Sequence, residues 1–241
     1  MATIYTIGHS TRTLDELIAA LKKYEVRTLV DIRSFPMSRR LPHFNRESLE
    51  LELPKHGIVY RWMKELGGRR KRIRDDSPNT GLRNDSFRNY ADYMLTENFA
   101  EAVERLLEIA DPALSARTAD EGGTGTKAGA LRQAQGMHLP AFDHRGDMTS
   151  LDRITNQEME VGNTAIMCAE RMYLQCHRML VSDYLKAHGH TVLHIDDDKR
   201  PVRPHRLLAQ ARLLNNKLVY NSLPLFENDR CICLPGQCPR G

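Results

Sequence analysis

Long apolar runs are missing. No stretch approaches the roughly 18 consecutive apolar residues of a bilayer-spanning helix, which argues against an integral membrane protein. The opening Met-Ala-Thr-Ile-Tyr-Thr-Ile-Gly lacks the basic start and apolar segment of a secretion signal, so a cytoplasmic location is expected. Cysteine is sparse, five in 241 residues and an odd count. That excludes a disulfide framework and leaves thiols for packing, metal ligation or reactivity. An excess of one charge sign is also missing: Lys and Arg number 35 against 31 Asp and Glu, a formal charge of +4. So mild a balance establishes neither a nucleic-acid nor a membrane partner without local clustering. There is no Walker loop, dinucleotide-binding glycine fingerprint or zinc-protease helix. What is present, 41% hydrophobic and 27% charged residues, suits a globular chain with one substantial core or two small ones.

Thr3 to Ile7 reads as a buried strand ended by Gly8, and Thr13-Leu14-Asp15-Glu16 has the capping-box pattern that starts a helix to about Lys23. A second strand, Arg27 to Ile32, stops at Ser34-Phe35-Pro36. Asn45 then caps a helix with Leu49, Leu51 and Leu53 as its apolar positions, ended by Pro54 and Gly57. Ile58 to Tyr60 is a brief third strand, and Asn84 to Ala110 is two helices broken near Thr96. Thr164 to Cys168 is a strand, Gln175 to Ala187 a helix stopped by Gly189, and Thr191 to Ile195 a further strand. This alternation predicts an α/β fold: a mainly parallel sheet flanked by helices in a Rossmann-like three-layer arrangement. The expected organisation is one α/β domain from 1–110 and 163–220, with 111–162 a flexible insertion and 221–241 a C-terminal extension.

In such sheets ligands bind at the carboxyl ends of strands, which selects Gly8-His9-Ser10, Asp31-Ile32-Arg33, Tyr60, Cys168-Ala169-Glu170 and Asp196. Cys168-Ala169-Glu170 is followed by Cys176-His177-Arg178, so a thiol and a carboxylate at a strand end meet a thiol, an imidazole and a guanidinium in the first turn of a helix. Free amides and the helix dipole there favour a thiolate at Cys176 or a bound phosphate. The plain alternative makes both cysteines small core residues and His177 a hydrogen-bonding one. Asp31 and Arg33 share one side of their strand, and the loop beyond carries Phe35, Arg39, Arg40 and Phe44. Arginine there would hold phosphate and an aromatic would stack on a base; the alternative is an Asp-Arg ion pair below solvated loop charges. Leu66-Gly67-Gly68 precedes Arg69-Arg70-Lys71-Arg72-Ile73-Arg74, and Gly81-Leu82-Arg83 precedes a helix. The glycines let backbone approach an anion and the cations attract a polyanion, though such runs also form ordinary solvated surface. Cys231, Cys233 and Cys238 offer three thiolates without an evident fourth ligand, and read as a loose tail. His9 and Ser10 are adjacent and do not face one another, so they are assigned positioning rather than nucleophilic roles.

Taken together, Tyr5 to Ser10, Asp31 to Pro36, Leu66-Gly67-Gly68, Phe87 to Met94, Cys168-Ala169-Glu170 and Cys176-His177-Arg178 resemble the bacterial and archaeal family called domain of unknown function 488. The resemblance runs from about Thr3 to Leu214, apart from the intervening 111–162 and the cysteine-bearing tail, which depart from the family pattern. It implies an α/β domain with these motifs around one site, and it implies no activity.

The leading reading is an enzyme, a hydrolase or transferase, acting on a phosphorylated, nucleotide or nucleic-acid substrate. Glu170 and His177 are its proton-transfer residues and Cys176 its nucleophile. His9, Ser10, Asp31, Arg33, Arg39, Tyr60, Gly67, Gly68, Arg83, Cys168 and Arg178 line the substrate. This reading names no metal ligand and no cofactor; its partner is an anionic small molecule or a nucleic acid, not a membrane. Two alternatives stay open: a non-catalytic nucleic-acid-binding module, and a metal-binding or thiol-redox protein built on Cys168, Cys176 and His177 with Glu170.

Overall fold

The structure, a computed structural model, describes residues 1–112, 162–196 and 200–221. The expected insertion and C-terminal extension, with Cys231, Cys233 and Cys238, lie almost wholly outside these residues. Thr3–Gly8 (β1), Val26–Asp31 (β2), Val59–Trp62 (β3), Asn163–Cys168 (β4), Thr191–Ile195 (β5) and Arg203–Pro204 (β6) form one sheet in the order β3-β2-β4-β1-β5-β6. The first five strands are parallel and β6 runs antiparallel to β5. Five α-helices accompany them among the described residues: Leu14–Lys23 (α1), Arg46–Glu52 (α2), Asp85–Tyr93 (α3), Glu97–Ala110 (α4) and Arg178–Ala187 (α5). An antiparallel hairpin, Ala211–Leu214 (β7) and Lys217–Tyr220 (β8), turns through Asn215 and Asn216, whose φ values of 48° and 62° give the double left-handed turn that suits hairpin twist.

Each parallel crossover must bury a helix against the sheet, and the apolar positions divide accordingly. Leu17, Ile18 and Leu21 of α1 and Leu49 of α2 pack with Ile7, Leu29, Ala165 and Met167 on one face. On the other face, Tyr90 of α3, Phe99 and Leu106 of α4 and Leu180 and Leu185 of α5 pack with Ile4, Val30, Ile166 and Val192, joined by Leu218 and Tyr220 of the hairpin. Buried side chains of this size contribute about 1.5–3 kcal/mol each, so a strand slip that exchanged the faces would cost both cores at once. The three-layer α/β arrangement read from the alternation is therefore the observed one.

Local signals place the elements. Thr13 and Glu16 form the reciprocal capping box, and Asn84 caps α3 by accepting from the amides of Ser86 and Phe87. Asn45 precedes α2 without capping it, because its side chain instead accepts from the Ser38 amide at 2.6 Å. Leu51, expected on the apolar side, is 64% exposed. The last helix starts at Arg178, later than Gln175, since Tyr173–Gln175 forms a short 3₁₀ turn and Cys176 is extended.

Connections leaving β1 and β2 use α1 and α2 on one face, whereas those leaving β3 and β4 use the helices on the other. The connections thus diverge between the adjacent strands β2, which leads outward to β3, and β4, which leads the other way to β5, the place where doubly wound sheets open a ligand crevice. Beside it the β1–β4 ladder runs on past the strand ends: the His9 amide donates to the Cys168 carbonyl at 3.0 Å and the Ser10 amide to Ala169 at 2.8 Å, and across the crevice the Ile32 amide donates to Met167 at 2.9 Å.

Candidate functional site

The strand-end residues gather at one end of the sheet in two groups, one on each face. On the side of α1 and α2, the fully buried Asp31 carboxylate accepts from the Arg33 amide (3.0 Å), from Arg33 Nε (2.9 Å) and Nη2 (2.5 Å), and from the Tyr60 hydroxyl (2.7 Å). Arg33 Nη2 also donates to the Phe44 carbonyl at 2.8 Å, and Nη1 lies 3.2 Å from His9 Nε2. The strand alternation that points residues 31 and 33 the same way thus yields a bidentate internal ion pair, and the Arg33 guanidinium is committed to protein partners. His9 stacks on Phe44 with ring centroids 4.2 Å apart. Burial, helped by the Arg33 charge, lowers its pKa to about 4, so the imidazole is neutral and accepts from Arg33 through Nε2. Burial and the Asp31 charge push the Tyr60 hydroxyl up, keeping it a donor.

On the opposite face, Cys168 ends β4 and Cys176 and His177 precede α5. His177 Nδ1 stands 3.8 Å from Cys168 Sγ and 3.5 Å from Cys176 Sγ, and these three atoms all lie within 4.8 Å of one another. His177 Nε2 is 3.0 Å from the Ile32 carbonyl. A carbonyl accepts only, so Nε2 carries the proton and Nδ1 turns its lone pair to the sulfurs. Cys176 Sγ also accepts from the Arg178 amide at 3.5 Å. The Cys176 thiol is held low, to about 3, first by a hydrogen bond from Cys168 and also by the nearby Arg178 charge, against the cost of burial. The same sharing raises Cys168. Gly68 lies flat on the imidazole: a Cβ there would sit 2.7 Å from His177 Cγ. Behind the cysteines, the fully buried Arg178 donates through Nη2 to the carbonyls of Glu170 and Arg171 and faces Thr6, while its Nε has no partner among the described residues.

Arg39, Arg83 and Glu170 are exposed, and Ser10 occupies the turn after β1 with φ 49°. Gly67 packs against Ser34, where a Cβ would meet Oγ at 2.6 Å. Of the basic run, Arg70 lies over the Tyr93 ring at 3.6 Å, and Arg72 and Arg74 pair with Asp75 and Asp76. A cleft of about 400 Å³ before α3 carries Arg72 and Arg88 beside their partners Asp75 and Asp85, so its charges are internally balanced.

One buried network was not anticipated. Thr6 Oγ1 lies 2.7 Å from His194 Nδ1, His194 Nε2 lies 2.9 Å from His205 Nδ1, and His205 Nε2 lies 2.8 Å from Asp183 Oδ1. The Tyr220 hydroxyl and the Leu208 amide complete the Asp183 carboxylate. A consistent direction satisfies every ring nitrogen: Thr6 donates to His194, His194 to His205, and His205 to Asp183. The network ties β1, α5, β5 and the hairpin together. The available signal was a histidine within the apolar strand Thr191–Ile195.

Residues 13–119 match the family model described as Domain of unknown function DUF488. The match includes the Asp31 to Pro36, Leu66 to Gly68 and Phe87 to Met94 segments and stops short of Cys168 to Arg178. No curated protein and no solved structure matches the chain.

Proposed function

Through residues 13–119 the chain belongs to the DUF488 family, whose description names no activity, and we propose that it is an enzyme acting on a nucleotide-like anion, single-stranded nucleic acid foremost, at the carboxyl end of its sheet. The observation carrying this reading is the joining of the two loops around His177. The Arg69 amide donates to Ser34 Oγ at 2.9 Å, the Arg69 guanidinium lies 5.8 Å from the Phe35 ring, and the adjacent Gly68 covers the imidazole. Phe35 is 63% exposed although its loop is pinned, by Arg46 N donating to the Pro36 carbonyl at 2.9 Å and by Ser38 with Asn45. A rigid loop that holds an aromatic ring in solvent beside a cation is a stacking platform. Arg39, Arg40, Arg69 and Lys71 are exposed and form no ion pair among the described residues, so they are free to meet phosphates. Arg33 and Arg178, buried and internally bonded, take the role of scaffold rather than of phosphate grip. Cys176 and His177, the latter beneath Gly68, serve as reactive groups, and Glu170, exposed beyond β4, is the proton-transfer residue.

Fluorescence anisotropy with a labelled mixed-sequence single-stranded oligonucleotide tests this reading. Four phosphate contacts give a slope of log affinity against log salt near about −3, and Phe35→Ala weakens binding by about 1–3 kcal/mol. Absence of binding at low ionic strength, or affinity indifferent to salt and to Phe35, removes the reading.

A further inference from the structure

We propose that Cys168, Cys176 and His177 form a metal site, taking a single zinc ion through two thiolates and one imidazole. The distances carry it. Zn–S and Zn–N bonds of about 2.3 and 2.0–2.1 Å at the tetrahedral angle set S···N edges of about 3.6 Å; the two S···N separations here are 3.5 and 3.8 Å. The three donor atoms lie within 4.8 Å of one another, so one ion reaches all of them.

The surroundings are those of a ligand set. A metal-binding histidine gives its other ring N–H to a carbonyl or carboxylate, which fixes both tautomer and ring plane. His177 does so with the Ile32 carbonyl at 3.0 Å, while Gly68 presses on the ring from above. The ring is thus held with its Nδ1 lone pair aimed between two sulfurs before any ion arrives. Soft sulfur donors with imidazole exclude magnesium and calcium, and three tetrahedral corners favour zinc. Two thiolates neutralise a divalent ion, so the loaded site carries no net charge into the core. With three protein donors among the described residues, the fourth corner belongs to water or substrate, the arrangement of a working rather than a structural zinc site. The inference uses none of the rim cations and so stands apart from oligonucleotide binding there, but it assigns Cys176 and His177 to the ion in place of direct reaction with substrate.

Cobalt(II) is the probe, added to chelator-stripped, reduced full-length protein carrying Cys231→Ser, Cys233→Ser and Cys238→Ser so that the tail thiols contribute nothing. The expected result is one equivalent bound, with thiolate-to-cobalt charge-transfer absorption in the near ultraviolet, intense visible bands of tetrahedral cobalt, and displacement by one equivalent of zinc. Cys168→Ser, Cys176→Ser and His177→Gln each weaken zinc by at least about 100-fold, the upper end of what loss of an outer-shell partner costs. Circular dichroism identifies variants that keep the fold, and the folded ones decide the question. Weak octahedral cobalt spectra, no stoichiometric binding, or affinity unchanged in a folded variant overturns the site. Oligonucleotide anisotropy on the same chelator-stripped tail variant reads the rim without any change at the sulfurs, so failure of the metal site and failure of the nucleic-acid reading are seen separately.

Discussion

Gly68→Ala adds one methyl group and discriminates sharply between a loose and a clamped imidazole. The new Cβ falls 2.7 Å from His177 Cγ and 3.0 Å from Cε1, and nearer still to Nδ1. Contact distances for such atoms are about 3.5–4.0 Å, so the ring must retreat by roughly 1 Å. Gly68 does not occupy the left-handed region, so the backbone accepts alanine and the effect is steric. Retreat lengthens the 3.0 Å bond from Nε2 to the Ile32 carbonyl. Overpacking costs about 1–3 kcal/mol, and a buried donor and acceptor left unmatched cost about 1–3 kcal/mol more. The sum, about 2–6 kcal/mol, lowers Tm by roughly 4–24 °C in a domain of this size. Cobalt absorption should weaken as Nδ1 leaves its corner. Gly189→Ala is the control: with φ at 87° and nothing within 4 Å of the added atom, it bears only backbone strain of about 1–2 kcal/mol and leaves the cobalt spectrum intact. A Gly68→Ala protein with native Tm and full cobalt binding would refute the clamped imidazole.

Asp31→Asn should cost about 3–5 kcal/mol in urea unfolding, because it leaves the buried Arg33 guanidinium without its anion. Burial and the neighbouring His205 and Arg178 lower the His194 pKa to about 3, well below its ordinary value. The unfolded chain then gains a proton near pH 6.5 that the folded chain refuses until about 3. This contribution is therefore absent above about 6.5 and removes up to about 1.4 kcal/mol of stability per pH unit between those values. Urea unfolding at stepped pH should show that slope fall by one proton in His194→Gln, and an unchanged slope contradicts the assignment. In the hairpin, Asn216→Val should lose about 1–2 kcal/mol by forcing a branched side chain into the left-handed region, whereas Asn216→Gly should be neutral or slightly stabilising by thermal melt.

Strand and helix alternation was legible because each β-run ended in a turn signal and each helix carried a cap or an apolar stripe; the Thr13 box and the break at Thr96 appear where their chemistry puts them. The meeting of distant segments at one end of the sheet was legible from strand ends alone. The Asp31 partner of Arg33 was one of the two readings that strand alternation allowed; how Arg178 spends its donors was not legible, because carbonyl partners on the preceding loop leave no mark in one dimension. The faces were also hidden: residues 31 and 168 leave neighbouring strands in opposite directions, which depends on register. The Asp183, His205 and His194 network escaped because its members lie on three elements, one of them beyond the last periodic segment.

The continued pairing of β1 with β4 beyond the sheet has an architectural consequence. In the usual doubly wound enzyme, a long flat cofactor slides between the two halves and is gripped lengthwise. Here hydrogen bonds from His9 and Ser10 to the end of β4 fix one doorpost of that crevice, and the Ile32 amide on Met167 ties the other to it. On the proposed function, a guest would be met on the lintel, lying across the top of the molecule with one group dipped toward the sulfurs.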